Sequence, residues 1–190
     1  MIGTEPEFNQ SPDFIGSVAF DTDRMDTWQA EASLRSGPVW LHGEWMRAEA
    51  DSPDMLDPSV QGYHLTASMA LTGEVRGYNK QMGLFKPFPI ARTVHQNGWG
   101  AWEIGARYSS IDANDGLLEA GNMDIWSAGI SWWLTPQFKA SLNYRYITLN
   151  RDGTEGQSQG INTRVIIALE RLEKVELGFL LWTVSGCPFK

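Results

Sequence analysis

The chain has 190 residues, a formal net charge of -8 and a single cysteine, Cys187. One cysteine excludes an internal disulfide and a multi-cysteine metal site, and the acidic balance argues against a nucleic-acid partner. No apolar run approaches the roughly 20 residues of a membrane helix, whereas a barrel strand needs only about 9–11 residues, half of them apolar. The nine tryptophans therefore matter, because this residue is enriched at membrane–water interfaces.

The N-terminal segment, residues 1–23, is rich in Asp, Glu, Pro, Ser and Asn. This composition predicts an irregular segment, with Phe14, Val18 and Phe20 as candidates for a short extended piece. Met1–Glu5 has no basic start, apolar core or small-residue cleavage site, so no signal peptide is expected there.

After this segment, apolar and polar residues alternate in seven stretches, as they do in strands with one apolar and one polar face. The predicted strands span residues 25–35, 39–49, 60–72, 100–111, 123–134, 139–148 and 160–170. In the sixth strand, Ala140, Leu142 and Tyr144 share the apolar face. Ser141 and Asn143 lie on the polar face.

Short turns and longer polar loops alternate between these strands. The short turns are Ser36–Pro38 and Thr135–Gln137, and the longer loops are 50–58, 113–121 and 151–158. Outer-membrane barrels have short periplasmic turns and longer external loops. The Gly-rich and Pro-rich residues 73–98 then form a connection on the short-turn side, with no membrane crossing of its own.

Large aromatic residues occupy two levels of the apolar face, with small and aliphatic residues between them. Near the short turns lie Trp102, Trp132 and Phe138, and near the longer loops lie Trp28, Trp45, Tyr63, Tyr108, Trp126 and Tyr146. Two aromatic girdles around an aliphatic band are typical of a membrane barrel, in which the apolar face meets lipid and the polar face lines the lumen. A soluble all-β carbohydrate-binding module with Trp clusters is the alternative; it explains the alternation but not the two levels.

Five cationic side chains share the polar face and are the predicted pore-lining, anion-facing residues. They are Arg35, Arg107, Lys139, Arg145 and Arg164. A ring of cations inside a pore concentrates anions. The same side chains are equally suited to pairing with Glu31, Glu44 and Glu103, and the sequence leaves both interpretations open.

His42 and His64 lie on the polar phase of adjacent predicted strands and are interpreted as further pore-lining residues. Two histidines without a carboxylate at ligand spacing are a weak metal signal, so neither a metal nor a cofactor is predicted. A less favoured alternative, an outer-membrane hydrolase, needs a serine paired with a histidine. Ser68 is conceivable, but no spacing selects it, so no catalytic residue and no enzymatic activity are expected.

Specific local sequences add a family resemblance. Residues 98–109 read Gly-Trp-Gly-Ala-Trp-Glu-Ile-Gly-Ala-Arg-Tyr-Ser, and residues 129–136 read Gly-Ile-Ser-Trp-Trp-Leu-Thr-Pro. Further matches are Asp112, Asn114, Asp115, Gly116, Asn143-Tyr144, Leu71-Thr72-Gly73-Glu74 with Tyr78, and Gly37-Pro38 leading to Glu44-Trp45. Over about Trp28 to Glu170, the chain resembles the C-terminal part of the phosphate-selective porin O and P family.

The resemblance implies a sixteen-stranded antiparallel barrel in the bacterial outer membrane, usually trimeric, that passes anions such as phosphate or polyphosphate. The expected fold is therefore all-β, about seven strands of a transmembrane barrel wall, with the N-terminal half of the barrel missing. The expected organisation is an irregular segment at 1–23, barrel at 24–170 and an atypical tail at 171–190, where residues 175–184 are a candidate extra strand. The expected partners are the lipid bilayer and small inorganic anions.

Overall fold

An antiparallel sheet of eight strands forms the body of the computed structural model. The structure describes residues 2–4, 15–18, 20–79, 81, 84–86, 88–151, 153–168 and 178–184, of which 2–4, 15–18, 84–85 and 178–184 are described by their backbone. Within these ranges, no helix is both long enough and apolar enough to cross a membrane.

The strands follow one another as a meander. They are β1 (Ile2–Thr4), β2 (Ile15–Val18), β3 (Arg24–Ser36), β4 (Val39–Asp51), β5 (Ser59–Ala70), β6 (Tyr78–Asn79), β7 (Leu84–Phe85), β8 (Ala101–Asp115), β9 (Leu118–Thr135), β10 (Phe138–Arg151), β11 (Thr154–Ala168) and β12 (Gly178–Val184). The order in the main sheet is β12-β11-β10-β9-β8-β5-β4-β3, and β1-β2 and β6-β7 form two small separate pairs. In the part of the chain that the structure describes, β3 and β12 pair on one side only, so the main sheet ends in two edges.

The predicted all-β antiparallel wall is confirmed, and its seven predicted strands are all present. Two of the predicted loops are much shorter in the structure than the sequence predicted. β8 continues to Asp115 and β9 begins at Leu118, so residues 113–121 are mostly paired strand around a turn at Gly116. Likewise β10 reaches Arg151 and β11 begins at Thr154, within the predicted loop 151–158. Both turns contain an Asp-Gly pair, a strong local signal for a tight hairpin, and Gly116 and Gly153 adopt positive φ of 60° and 70°.

Both ends of the chain contain short strands, and these include Val18 and part of residues 175–184, which the sequence offered as candidates. Ile2–Thr4 pairs antiparallel with Ile15–Val18 inside the segment predicted to be irregular. In the tail, β12 adds an eighth strand by pairing with residues 162–168 of β11. Phe14 and the predicted strand end at Leu169 and Glu170 lie outside the described residues.

The register keeps one apolar face continuous across the sheet. Ile130 of β9 lies opposite Ile104 of β8 on one side and Leu142 of β10 on the other. Ile104 and Leu142 are 38% and 47% exposed, so this level of the face is not the sealed interior of a sandwich. The other large exposed side chains of this face are Trp28, Leu34, Leu41, Trp45, Tyr63, Leu65, Met69, Trp126, Tyr144, Ile161 and Ile167. An exposed apolar surface of this extent marks contact with a membrane or a partner.

The opposite face is polar in its middle and apolar at the end of the strands near the longer loops. At the end of the sheet near Gly116, Met123, Ile125 and Ile147 are buried in one apolar cluster, against which Phe20 and Met55 pack. The cluster forms because the residues before β3 and the short 3-10 turn after β4 bring apolar side chains onto this face, where burial removes them from water.

Candidate functional site

The central polar part of the sheet brings two of the predicted cations together. Arg107 of β8 lies opposite Ser127 of β9, and Ser127 lies opposite Arg145 of β10. The two guanidinium-bearing residues therefore flank one serine in a single row across three strands. The Ser127 hydroxyl is buried and has no hydrogen-bond partner among the described residues.

An open cleft of about 330 Å³ surrounds this row, lined by Thr66, Ser68, Glu103, Arg107, Ser131 and Arg145. Gly105 and Gly129 lie opposite each other at its floor. A Cβ atom at Gly129 would lie only 2.2 Å from the Asn143 side-chain oxygen, so glycine at this position lets that side chain approach the backbone. Guanidinium groups and hydroxyls together supply charge-assisted hydrogen bonds to an oxyanion.

The remaining predicted cations lie in successive rows toward the short-turn end. Arg35 lies opposite Trp40, Arg164 opposite Ser141, and Lys139 opposite Trp133. The Arg35 side chain donates a hydrogen bond to a backbone carbonyl in the connection between β5 and β8. The Lys139 ammonium lies 4.4 Å from the centre of the Trp133 ring. The structure therefore groups Arg107 and Arg145 and spreads the other three along the face.

The connection between β5 and β8 lies on the polar face and covers its short-turn end. Phe88 of this connection stacks on Trp133, with ring centres 5.4 Å apart and planes 8° from parallel. The Arg76 guanidinium lies 5.4 Å from the centre of the Phe88 ring. Arg76 also supplies the carbonyl that accepts the hydrogen bond from Arg35. The connection thus narrows the space in front of the polar face at this end.

The two histidines lie side by side on the polar face, and the described partners of His42 do not have the arrangement of a hydrolase triad. The Ser33 hydroxyl lies 2.8 Å from Nδ1 of His42, and a Glu31 oxygen lies 3.8 Å from the same nitrogen. A Ser-His-carboxylate relay requires its two partners on opposite ring nitrogens. Ser68, the serine considered from sequence, lies opposite Trp40 instead.

The aromatic level near the short turns is formed by stacked indoles. Trp102 and Trp132 have ring centres 5.2 Å apart and planes 13° from parallel. The Trp132 indole N–H donates a 2.8 Å hydrogen bond to the carbonyl of Trp99. Phe138 follows at the start of β10, opposite Ile167. The Trp132 indole thus presents an apolar face with a satisfied polar edge, the combination that suits a membrane–water interface.

The second level lies near the other end of the strands. Tyr108 packs between Tyr63 and Trp126, with ring centres 5.8 and 4.5 Å away. Its hydroxyl donates a 2.7 Å hydrogen bond to Asp124. The others at this end are Tyr146, which lies opposite Trp126, and Trp45, which lies diagonally from Trp28 on the neighbouring strand, two residue pairs away.

An antiparallel meander with an uncovered apolar face, two aromatic levels and a polar opposite face is part of the wall of a transmembrane β-barrel. The chain belongs to the phosphate-selective porin O and P family, whose model matches residues 2–167. The resemblance seen in the local sequences is thereby confirmed.

Two relatives show how much of such a protein this chain represents. An uncharacterized protein of Caulobacter vibrioides is 28% identical over 134 residues, which cover 68% of this chain and 26% of the relative. Porin O of Pseudomonas aeruginosa is 26% identical over 129 residues, which cover 62% of this chain and 28% of the relative. The chain therefore spans little more than a quarter of the length of these relatives.

Proposed function

We propose that this chain forms part of the wall of a passive, anion-preferring diffusion channel of the phosphate or polyphosphate type in the bacterial outer membrane. The observation that carries the proposal is the row Arg107, Ser127, Arg145 on the face opposite the exposed apolar surface. The remaining strands of the barrel, including its N-terminal half, lie outside these 190 residues, and the complete channel is a homotrimer.

The mechanism is electrostatic and involves no covalent step. Arg107, Arg145 and the Ser127 hydroxyl replace part of the hydration shell of a passing oxyanion. In a water-filled cleft, one unit charge at about 4 Å contributes only about 1 kcal/mol, so the anion is attracted without being trapped. Arg35, Arg164 and Lys139 extend the positive potential toward the short-turn end, and His42 and His64 line the same face.

The proposed organisation places the barrel wall at residues 24–170, with 1–23 and 171–190 as flanking segments, the second of which contributes β12. Trp28, Trp45, Trp126 and Tyr146 then meet one lipid headgroup layer, and Trp102, Trp132 and Phe138 meet the other. Along β9 the two levels, at Trp126 and Trp132, are six residues apart, which is roughly 20 Å of strand at about 3.4 Å a residue.

Partition behaviour separates this proposal from a soluble carbohydrate-binding module. We expect the purified chain to stay in solution only with detergent or lipid, since its apolar face is uncovered. Size-exclusion chromatography with and without detergent measures this directly. A monodisperse species in plain buffer that is retained on an immobilised polysaccharide would favour the carbohydrate-binding module.

A further inference from the structure

A second cluster on the polar face combines two imidazoles with a carboxylate. His42 and Glu44 are two residues apart on β4 and project to the same side, and His64 of β5 lies directly opposite Glu44. One ligand atom from each residue lies within 4.8 Å of the other two. The imidazole centres are 5.1 Å apart, and a Glu44 oxygen lies 3.8 Å from Nδ1 of His64.

The cluster is partly buried and is held in place by neighbouring groups. The side chains of His42 and His64 are 16% and 14% exposed. The Gln29 amide donates a 2.7 Å hydrogen bond to one Glu44 oxygen. Ser33 bonds Nδ1 of His42, and Trp40 stacks on the same imidazole at 5.5 Å. Contacts of this kind orient ligating side chains in metal sites and leave Nε2 of His42 as its ligand atom.

We propose that His42, Glu44 and His64 bind a divalent transition-metal ion of the Zn²⁺ class. Two imidazoles and one carboxylate form a known ligand set for zinc, with a fourth position open to water or an anion. Ligand atoms in a tetrahedral zinc site lie about 3.3 Å apart, given bond lengths of about 2.0–2.1 Å. The three ligand atoms, which lie within 4.8 Å of one another, would therefore have to approach by up to about 1.5 Å on metal binding. This site goes beyond the proposed channel and does not depend on it.

The carboxylate of this site was not recognised from the sequence. Glu44 lies on the same strand phase as His42, but only the register shows that it is the direct partner of His64. A second carboxylate, Glu31, lies 3.8 Å from Nδ1 of His42 and adds negative charge that favours a bound cation.

Zinc titration of the untagged chain in detergent, followed by isothermal calorimetry, tests the proposal. We expect one saturable Zn²⁺ per chain. The variants His42→Gln and His64→Gln should each weaken binding by about tenfold or more, and Glu44→Gln should also weaken it. His95→Gln is the matched control, because His95 lies in the short 3-10 helix Val94–Gln96 of the connection, away from the cluster. The Zn²⁺ affinity of the His95→Gln variant should equal that of the unchanged chain.

The absence of saturable Zn²⁺ binding to the unchanged chain would overturn the proposal, as would full binding by a His42→Gln/His64→Gln double variant. A loss of Zn²⁺ affinity in His95→Gln as large as that in His42→Gln would also overturn the proposal.

A second readout needs no variant and is therefore independent of folding defects. One equivalent of Cu²⁺ bound to the unchanged chain should give an electron paramagnetic resonance spectrum split by two imidazole nitrogens, and a spectrum split by one nitrogen or none contradicts the site.

Discussion

Leu142→Arg should lower the free energy of unfolding of the chain from lipid bilayers by about 2–4 kcal/mol. Leu142 lies in the middle of the apolar face, opposite Ile130, and is half-exposed in the isolated sheet. If that exposure is toward acyl chains, the substitution places a guanidinium at the centre of the membrane. Unfolding of the vesicle-inserted protein by guanidinium chloride, monitored by tryptophan fluorescence, measures the difference in unfolding free energy between the variant and the unchanged chain.

Ser131→Arg is the matched control for this prediction. Ser131 follows Ile130 on β9, projects to the opposite face and lies across from Glu103. An arginine there enters the water-filled side beside a carboxylate, and its effect should stay within about 0.5 kcal/mol. Equal small effects of Leu142→Arg and Ser131→Arg would show that both faces meet water, because a surface substitution from leucine to arginine costs little in a soluble sheet.

The double variant Arg107→Gln/Arg145→Gln should weaken phosphate binding by roughly 30-fold. Each guanidinium contributes about 1 kcal/mol of attraction at about 4 Å in water, and the loss of about 2 kcal/mol corresponds to that factor. Broadening of the phosphorus NMR line of inorganic phosphate, titrated with the purified chain in detergent, gives the affinity. Each single variant should show about half of the free-energy change.

Arg24→Gln serves as the control for the phosphate measurement. Arg24 begins β3, lies outside the cleft and forms a 2.8 Å ion pair with Asp26. Its replacement also removes one positive charge, so it reproduces the change in net charge without touching the row of Arg107 and Arg145. A loss of phosphate affinity in Arg24→Gln as large as that in Arg107→Gln would mean that overall charge, and not the row, determines binding.

The strands and their two faces could be predicted from the sequence because side-chain alternation is a local property. Leu142 and Ser141 project to opposite faces wherever the strand lies, so their assignment needed no partner. The long hairpins were missed because residues such as Asn114, Glu119 and Gln157 do not alternate in polarity, and the backbone ladder forms without such a pattern. The Asp-Gly pairs at 115–116 and 152–153 were the signal that could have located both turns.

The arrangement of the polar face could be predicted only in part, because it depends on register and on contacts between distant segments. Alternation placed Arg107 and Arg145 on one face, but only strand pairing puts Ser127 between them. The stacking of Phe88 on Trp133 joins residues 45 positions apart, and no local pattern marks it. Strand pairing likewise brings Glu44 to His64.

The most direct test of the central claim is the accessibility of spin labels attached at neighbouring positions of β10 in a lipid bilayer. We expect a label at position 142 to collide mainly with molecular oxygen, which concentrates among acyl chains. A label at position 143, on the opposite face, should collide mainly with a water-soluble nickel chelate. Equal exposure of both labels to the nickel chelate, or the reverse order, would contradict a sheet whose apolar face meets lipid and whose polar face lines a channel.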